Sequence, residues 1–444
     1  MVTTDIDAGE RQGANWVTQN IFVVGLDETN RATLRTLPDA QQLTFRQLLT
    51  RSELQHGTVS IPEVLDKAQR ELDDFPGSID AIVGYWDFPI PMMVPILCAR
   101  YGLPSADLAA VVKCEHKYWS RLEQQRVIEE VPGFGLLDLD DEPAALPSGV
   151  SYPAWIKPIK SASSEGAHYL ENDDDLRAAV AIERHEVGRI GGPFNDILAM
   201  LDLPPEIATI SGTACLVEQA AAGEQVTVEG FSRNGQVRVY GVVDSITHPD
   251  APSFVRYQYP SRLPEHVLEH MAEVSRRVIT AFGLTNTTFN IEYFWDAQAE
   301  RLRLLEINAR HSQSHARLFQ LVDGLPNHAC MIDLALNRDP HIPSRQGPYA
   351  VAGTWFMRQF ADGVVHRVPT PSEVLQIEQD IPGTTIHLDV EPADRLSDRQ
   401  GEDSFTYTLG TVYIGARDEE ELVRKYARVV EALDFEISEQ QEGA

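Results

Sequence analysis

The clearest pattern of apolar and polar positions lies between residues 287 and 308, where it predicts a β-hairpin. Two runs, Thr287–Trp295 and Arg301–Asn308, alternate with the period of two that is typical of strands, and a polar turn, Asp296–Glu300, separates them. Neighbouring side chains of a strand point to opposite faces, so one face is predicted to be buried. That face consists of Ile291, Tyr293, Leu305 and Ile307.

The opposite face of the predicted hairpin collects hard oxygen donors and one guanidinium. It carries Glu292, then Leu304, Glu306 and Asn308, and also Arg310 if the second strand continues. Magnesium is usually held by one or two carboxylates together with phosphate oxygens. An asparagine can add a neutral oxygen, and an arginine can hold an anion through two parallel donors. This face therefore predicts a site for a metal-bound polyphosphate, and the alternative is an ordinary solvated surface.

Short apolar runs alternate with helical patterns near the N-terminus. Asn20–Leu26 and Ile79–Tyr85 are apolar enough for buried parallel strands, and Ile61–Phe75 and Pro91–Tyr101 have helical spacing. The alternation predicts a small Rossmann-like α/β domain. No Gly-x-Gly-x-x-Gly follows the first strand, so a dinucleotide site is not expected there. Open α/β sheets bind ligands at the carboxyl ends of strands, which makes Asp87 a candidate substrate residue, unless it is only a turn residue before a proline.

A lysine-bearing strand followed by a loop of small residues predicts a second site for anions. Ala154–Ile159 is a short strand that carries Lys157, and the loop Lys160–Ala167 reads KSASSEGA. Successive backbone N–H groups of such a loop can form an anion-binding nest, with serine hydroxyls as further donors. The alternative is a plain turn with a surface lysine.

Further elements are predicted on both sides of the hairpin. The predicted helices are Val111–Gln125, Asp173–Arg189, Pro264–Phe282 and Asp418–Leu433. The predicted strands are Ala214–Gln219, Tyr349–Gln359, Gly363–Val368 and Ser404–Ala416, together with a hairpin of Gln225–Phe231 and Gln236–Val243. Residues 1–18 are expected to be a disordered arm, and residues 131–150 to be mainly loop.

Composition narrows the classes of function. The 444-residue chain has a formal net charge of −30, which disfavours nucleic acid and anionic membrane surfaces as partners. The longest apolar stretch, Ile82–Ala99, is broken by an aspartate and three prolines, so no transmembrane span is expected. The four cysteines form no Cys-x-x-Cys pair, and no signal peptide is expected. These features are typical of a cytoplasmic enzyme.

The hairpin sequence resembles that of a known superfamily. Asn-Ile-Glu-Tyr-Phe at 290–294 and Leu-Glu-Ile-Asn-Ala-Arg at 305–310 are similar to the metal-binding hairpin of the ATP-grasp ligases. The similarity is closest to the carboxylate–amine branch, which includes the L-amino-acid (dipeptide) ligases and biotin carboxylase. It implies an α/β and α+β chain with the ATP-grasp fold: a Rossmann-like domain at 19–112, an ATP-grasp domain at 113–340 with a lid at about 150–222 and an antiparallel-sheet core, and a C-terminal α+β module at 341–444.

The resemblance also implies roles for individual residues. ATP phosphates would be bound by Lys117, Lys157, Lys160 and Ser164, the adenine by backbone groups of Glu218, Gln219 and Ala220, and the ribose by Glu224. Magnesium or manganese ions would be held by Glu292, Glu306 and Asn308, with Glu229 as a further candidate. Arg310 would steady the reacting phosphoryl group. After Arg310 the chain departs from the Arg-Xaa-Ser-Gly-Ser that is common in the superfamily and reads His-Ser-Gln-Ser-His at 311–315. Independently of the resemblance, His311 and His315 are candidates to bind substrate or to act as a base to the amine, unless they are only polar residues at a helix start.

These roles imply an ATP-dependent ligase that joins a small carboxylate to an amine through an acyl phosphate and releases ADP and phosphate. Amino-acid-like substrates are expected, and a homodimer is left open. Two alternatives also stay open: an enzyme of the same superfamily with a different acceptor, such as a carboxylase, and a catalytically silent nucleotide-binding scaffold. The hairpin favours an enzyme, because a pure scaffold has no need to concentrate metal ligands.

Overall fold

The computed structural model describes residues 18–55, 57, 59–140, 144–161, 165–249, 251–399 and 406–439. The predicted arm at 1–18 lies outside these ranges except for its last residue, and so does Ser164 of the predicted phosphate loop. Within the described ranges, no helix combines the length and the apolar character that a membrane crossing requires.

The N-terminal part is a parallel sheet with helices around it, as the alternating pattern predicts. Its strands are β1 (Gln19–Val24), β2 (Leu43–Leu48) and β3 (Ala81–Val83), in the spatial order β2-β1-β3. The helices are α1 (Glu28–Leu34), α2 (Arg51–Gln55), α3 (Ile61–Asp73) and α4 (Ile90–Tyr101). β2 lies at an edge of the sheet and keeps partly exposed polar residues, which explains why an apolar pattern does not predict it.

The helix predicted at Val111–Gln125 is in fact two helices. α5 spans Leu108–Glu115 and α6 spans Lys117–Gln124, because the backbone of His116 is extended (φ −84°, ψ 96°). The His116 side chain accepts a hydrogen bond from the Trp119 N–H (3.1 Å) and so caps α6. Histidine is not among the usual N-cap residues, so helical spacing alone does not reveal the break. The break places a lysine at the first position of α6.

A small antiparallel sheet follows α6. Its strands are β4 (Phe134–Leu137), β5 (Ala154–Pro158), β6 (His168–Leu170) and β7 (Cys215–Gln219), in the order β4-β7-β5-β6. Three helices connect β6 to β7: α7 (Asp173–Glu186), α8 (Gly188–Leu198) and α9 (Pro205–Ala208). The expectation of loop at 131–150 is wrong for β4, because a four-residue strand is too short to show a period. The small sheet therefore begins before residue 150.

The remaining strands build the core. They are β8 (Glu224–Arg233), β9 (Gln236–His248), β10 (Ala251–Tyr259), β11 (Thr287–Asp296), β12 (Arg301–Asn308), β13 (Val351–Gln359), β14 (Gly363–Arg367), β15 (Thr384–Leu388), β16 (Tyr407–Ala416) and β17 (Glu436–Glu439). β14 pairs with β17, and the other eight form one antiparallel sheet in the order β12-β11-β8-β9-β10-β13-β16-β15. The predicted hairpin is confirmed as β11 and β12, with β12 at the edge of the sheet.

Helices cover the core sheet and join it to the other parts. They are α10 (Glu265–Phe282), α11 (Ala316–Val322), α12 (His328–Ala335), α13 (Pro371–Asp380) and α14 (Glu419–Ala432). α10 buries an apolar stripe of Val267, Met271, Val274 and Val278, and these residues share a core with the inner face of the hairpin. Strands from the segment after residue 341 extend the same sheet, so the hairpin and the C-terminal strands belong to one continuous layer.

A β-bulge in β12 changes which side chains the hairpin buries. Glu292 pairs with Glu306, but the next residue, Tyr293, pairs with Leu304, so Leu305 is an extra residue in β12. A bulge shifts the alternation of faces beyond it. Leu304 is therefore fully buried and Leu305 only partly buried, which corrects the prediction that placed Leu304 on the polar face and Leu305 in the core.

One buried arginine joins three parts of the fold. Arg121 of α6 is 3% exposed and donates to the Glu218 carboxylate of β7 through Nε (3.0 Å) and Nη2 (2.8 Å). Its guanidinium also donates to the carbonyls of Leu304 (3.0 Å) and Leu305 (2.6 Å). These carbonyls belong to the bulge on the open edge of β12. Arg121 therefore fixes the hairpin against both α6 and the small sheet.

We predict that Arg121→Met lowers the free energy of unfolding by about 3 kcal/mol, because it leaves Glu218 buried with one cation fewer and removes the donors of two carbonyls. Urea unfolding followed by tryptophan fluorescence would measure the change. Arg126→Met is the matched control, since Arg126 is 53% exposed in its surface ion pairs and its loss should leave the stability nearly unchanged. Equal midpoints for the two variants would contradict the prediction.

Candidate active site

Glu292 and Glu306 face each other across the hairpin. They are paired in the strand register, and Gln225 of β8 donates to Glu292 Oε2 (2.8 Å). Burial, and then the neighbouring Glu306 carboxylate, raise the pKa of Glu292 to about 7. Two carboxylates that face each other repel, and a bound cation or proton relieves this repulsion. The pair is therefore suited to a divalent cation.

Asn308 extends this polar face by one strand pair. Its Nδ2 donates to Asn290 Oδ1 (3.0 Å), and Asn290 Nδ2 donates in turn to the Arg310 carbonyl (2.9 Å). Because these bonds fix the amide of Asn308 through its nitrogen, its oxygen is the atom left for a ligand. No donor among the described residues bonds to that oxygen.

The ligand set is small and consists of oxygen atoms. In the part of the chain that the structure describes, no group of three or more His, Cys, Asp or Glu side chains is arranged to hold a metal ion. Two carboxylates and an amide oxygen still suit magnesium or manganese, which complete their shells with water or phosphate oxygens. The residues present therefore fit such an ion when it is bound together with a polyphosphate, and they do not form a zinc site.

Two lysines border the carboxylate pair. Lys117 Nζ lies 3.9 Å from Glu306 Oε2 and donates to Ser161 Oγ (3.2 Å). Burial lowers the pKa of Lys117, and Glu306 partly offsets this effect. Lys160 is 3% exposed and forms an ion pair with the equally buried Glu115 of α5. Lys117 therefore faces the carboxylates directly, and Lys160 lies behind them in a closed pair.

Lys157 and Arg121 share one buried carboxylate. Lys157 of β5 forms an ion pair with Glu218 Oε1, and Arg121 binds Oε2 of the same side chain. Burial raises the pKa of Glu218, but Arg121 and Lys157 outweigh it and lower the pKa to about 2. Glu218 would keep Arg121 as a partner on Oε2 if Lys157 bound another anion.

The residues predicted at the adenine and the ribose have different surroundings. The N–H groups of Gln219 and Ala220 donate to the carbonyls of Gly133 (2.8 Å) and Pro153 (2.9 Å), so both donors are used inside the small sheet. The Glu218 side chain is occupied as well. Glu224 is exposed at the start of β8. Contacts of these residues with a nucleoside stay predictions, and at Gln219 and Ala220 they would have to come from carbonyl groups.

Arg310 connects the hairpin to the N-terminal sheet. Its Nη2 donates to Asp87 Oδ1 (2.6 Å), and its Nη1 donates to the His311 carbonyl (3.2 Å). Burial raises the pKa of Asp87, but Arg310 and then Lys160 outweigh it and keep the pKa below its usual value. The structure thus brings the candidate substrate residue of the N-terminal domain into the same cleft as the hairpin.

The two histidines after Arg310 are buried. His311 is fully buried, and its Nδ1 lies 3.2 Å from the Thr288 hydroxyl. Burial, and then the neighbouring His328, lower the pKa of His311 well below its usual value, so its ring is neutral. His315 is 2% exposed, and its Nδ1 lies 2.8 Å from Glu229 Oε1. Neither ring is therefore exposed at the surface.

Glu229 holds the segment that contains these histidines. It is fully buried and accepts from the Ser312 N–H (3.0 Å) and the Tyr240 hydroxyl (3.1 Å), in addition to its contact with His315. Glu229 therefore holds the chain after Arg310 in place, and its contact with a metal ion stays a prediction.

Sequence reasoning missed two contributors to the site. Gln225 orients Glu292, and Arg121 neutralises Glu218 and holds the bulge. The strand pairing of β8 with β11 brings Gln225 onto the face of Glu292, so the alternation along β8 could have identified it. Nothing local identifies Arg121, because its partners are 97 and 183 residues away in sequence.

Comparisons with known proteins show similarity of sequence and of fold. Residues 150–316 match the family model of the ATP-grasp domain. An uncharacterized protein, y4rH from Sinorhizobium fredii, is 24% identical over 354 residues, which cover 77% of this chain and 65% of that protein. The chain thus spans less than two thirds of the length of that relative.

Two solved structures share the fold over nearly the whole chain. The L-amino acid ligase from Bacillus licheniformis has a TM-score of 0.69 at 14% identity, covering 96% of this chain and 99% of that one. The biotin carboxylase domain of the 2-oxoglutarate carboxylase from Hydrogenobacter thermophilus has a TM-score of 0.64 at 13% identity, covering 95% and 91%. Residues 150–316 are therefore similar to an ATP-grasp domain, and the chain shares its fold with these two enzymes.

Proposed function

We propose that this protein is an ATP-dependent carboxylate–amine ligase that forms an amide bond and releases ADP and phosphate. The observation that carries the proposal is the pair Glu292 and Glu306, opposed in register beside Lys117. Paired acids next to buried cations suit the metal-bound tail of a nucleoside triphosphate. The shared fold supports the same conclusion, because the proteins similar to this chain include an L-amino acid ligase and a carboxylase domain in complex with MgADP.

The cations of the cleft would bind the phosphates. Lys157 and Lys117 would contact phosphate oxygens, and Arg310 would hold the oxygens of the transferred phosphoryl group with its planar donors. When bound, magnesium or manganese would be held by Glu292, Glu306 and Asn308 and would neutralise and align the triphosphate. In a chain with a net charge of −30, these local groups would have to overcome an unfavourable long-range field.

The reaction would proceed in two displacements. A substrate carboxylate oxygen attacks the γ-phosphorus, the bond between that phosphorus and the bridging oxygen of ADP breaks, and an acyl phosphate forms. An amine then attacks the acyl carbon, the carbon–oxygen bond to phosphate breaks, and the amine loses a proton to the departing phosphate. Phosphoryl transfer depends mainly on positioning and charge stabilisation, so no buried histidine is needed as a nucleophile.

The small sheet would protect the intermediate. β5 and β7 carry Lys157 and Glu218, and Arg121 ties this sheet to the hairpin. A nucleotide bound between the sheet and the hairpin would therefore be enclosed from two sides. Exclusion of water would protect the acyl phosphate from hydrolysis and strengthen the charge interactions around it.

The direct test is phosphate release from Mg-ATP with panels of carboxylic acids and amines, with bicarbonate as a separate reaction. We expect release that requires both an acid and an amine, with a matching amount of amide product by mass spectrometry. Release that needs bicarbonate in place of the acid would indicate a carboxylase. No release with any acid, together with a rise in melting temperature on addition of Mg-ATP, would indicate a nucleotide-binding scaffold and overturn the proposal.

We predict that Glu306→Gln lowers acid-dependent phosphate release by about a hundredfold or more, because it removes a charged oxygen donor at the point where phosphate charge develops. The fold should survive, since Glu306 is 35% exposed. Glu300→Gln is the control, as Glu300 is an exposed residue in the turn of the same hairpin. Near-normal turnover by the Glu306 variant would show that the metal assignment is wrong.

We predict that Lys157→Met weakens ATP binding by about tenfold to a hundredfold, which is the usual effect of losing a charge-assisted hydrogen bond. Titration calorimetry with the Mg-bound non-hydrolysable analogue would measure it. Glu218 keeps Arg121 as its partner, so the variant should stay folded. Lys67→Met, on the exposed side of α3, should bind normally, and equal affinities for both variants would refute the role of Lys157.

A further inference from the structure

The ion pair between Asp87 and Arg310 lies where the N-terminal sheet meets the hairpin. Asp87 follows β3 at its carboxyl end, and Arg310 follows β12. Their side chains are 28% and 12% exposed, and 2.6 Å separates Arg310 Nη2 from Asp87 Oδ1. Arg310 lies two residues beyond Asn308, the last residue of β12, so the pair adjoins the end of the hairpin that carries Asn308.

Each member of this pair keeps one unused polar atom. Arg310 Nε is buried and has no acceptor among the described residues. Asp87 bonds through Oδ1, and no donor from the described part of the chain bonds to Oδ2. The contrast with Arg121 is direct, because there one carboxylate oxygen accepts from both Nε and Nη2. The Asp87–Arg310 pair thus keeps one donor, which is buried and unpaired, and one carboxylate oxygen to which no described donor bonds.

The unpaired Arg310 Nε–H and the unpaired Asp87 Oδ2 would together suit a zwitterion, which carries one negative and one positive charge. An arginine edge with a free N–H favours an anionic oxygen, and a partly exposed aspartate favours a cationic donor. Lys160 and Lys117 help to keep the pKa of Asp87 low, so the aspartate is ionised when a ligand arrives. A carboxylate with an ammonium group on the adjacent carbon carries one negative and one positive charge close together.

We propose that Asp87 is a specificity-determining residue, which binds an ammonium group next to the carboxylate that Arg310 receives and thereby selects α-amino acids as the acid to be activated. This inference rests on the proposed ligase function and narrows it to a substrate class. A simpler carboxylic acid would find the same donor on Arg310 but would leave Asp87 Oδ2 without a donor, while Oδ1 keeps its bond to Arg310.

The alternative is that Asp87 only holds Arg310 in place. The two roles differ in one measurable quantity: the ratio of kcat/KM for an amino acid to kcat/KM for the acid of the same carbon skeleton without the amino group. A positioning role would lower both values together. A selecting role would lower the value for the amino acid alone. The ratio does not depend on the fraction of folded enzyme, because both substrates are measured on one preparation.

The experiment compares wild type, Asp87→Asn and Asp87→Glu with standard L-amino acids and their des-amino counterparts, at saturating Mg-ATP and a fixed amine acceptor. We expect the preference of the wild type for the amino acid to fall by about tenfold to a hundredfold in Asp87→Asn and to be partly retained in Asp87→Glu. The KM for ATP should not change. Asp80→Asn is the control, because Asp80 lies just before β3 at its other end and bonds the Asn20 N–H (2.7 Å).

Equal losses for both substrate types in Asp87→Asn would overturn the inference and leave the ligase function intact. A wild-type enzyme that releases phosphate with carboxylic acids but does not prefer those with an adjacent ammonium would overturn it as well. Absence of phosphate release with every acid would overturn the ligase proposal itself, and the selection by Asp87 with it.

Discussion

Two carboxylates fixed opposite each other on paired strands impose a charge constraint on everything around them. The register of β11 and β12 places Glu292 directly across from Glu306, so the backbone holds the two side chains together. Lys117 and Gln225 relieve part of the repulsion, while burial and then the Glu306 carboxylate raise the pKa of Glu292. A bound cation with its phosphates would remove the remaining repulsion. The carboxylate pair is therefore best explained as one side of a binding site whose other side is the ligand.

The cations around this pair are almost all accompanied by acids of their own. Glu218 accompanies Lys157, Glu115 accompanies Lys160, and Asp87 accompanies Arg310. Buried ion pairs contribute little net stability, because desolvation offsets their attraction, so these pairs are better explained by the positions they enforce. They allow positive groups to be held inside an acidic protein at defined points, ready to exchange one anionic partner for another.

Local patterns predicted the hairpin well, because the strand period and the turn composition both depend on residues that are adjacent in sequence. They failed at Leu305, because a bulge leaves no trace in composition, and at β4, which is too short to have a period. Chemistry by residue type suggested His311 and His315 as a base, yet their burial is decided by Thr288 and Glu229, which come from other strands. The parts of the site that depend on partners far apart in sequence could not be predicted from the sequence alone.

The position of the hairpin at the margin of the core sheet has a consequence for association between molecules. A strand at a sheet edge offers unpaired carbonyls to which a strand of another chain can add. On β12 the guanidinium of Arg121 already occupies two of them, and the Glu130 carbonyl takes the N–H of Leu304 (2.8 Å). This margin is therefore a poor template for sheet extension or aggregation.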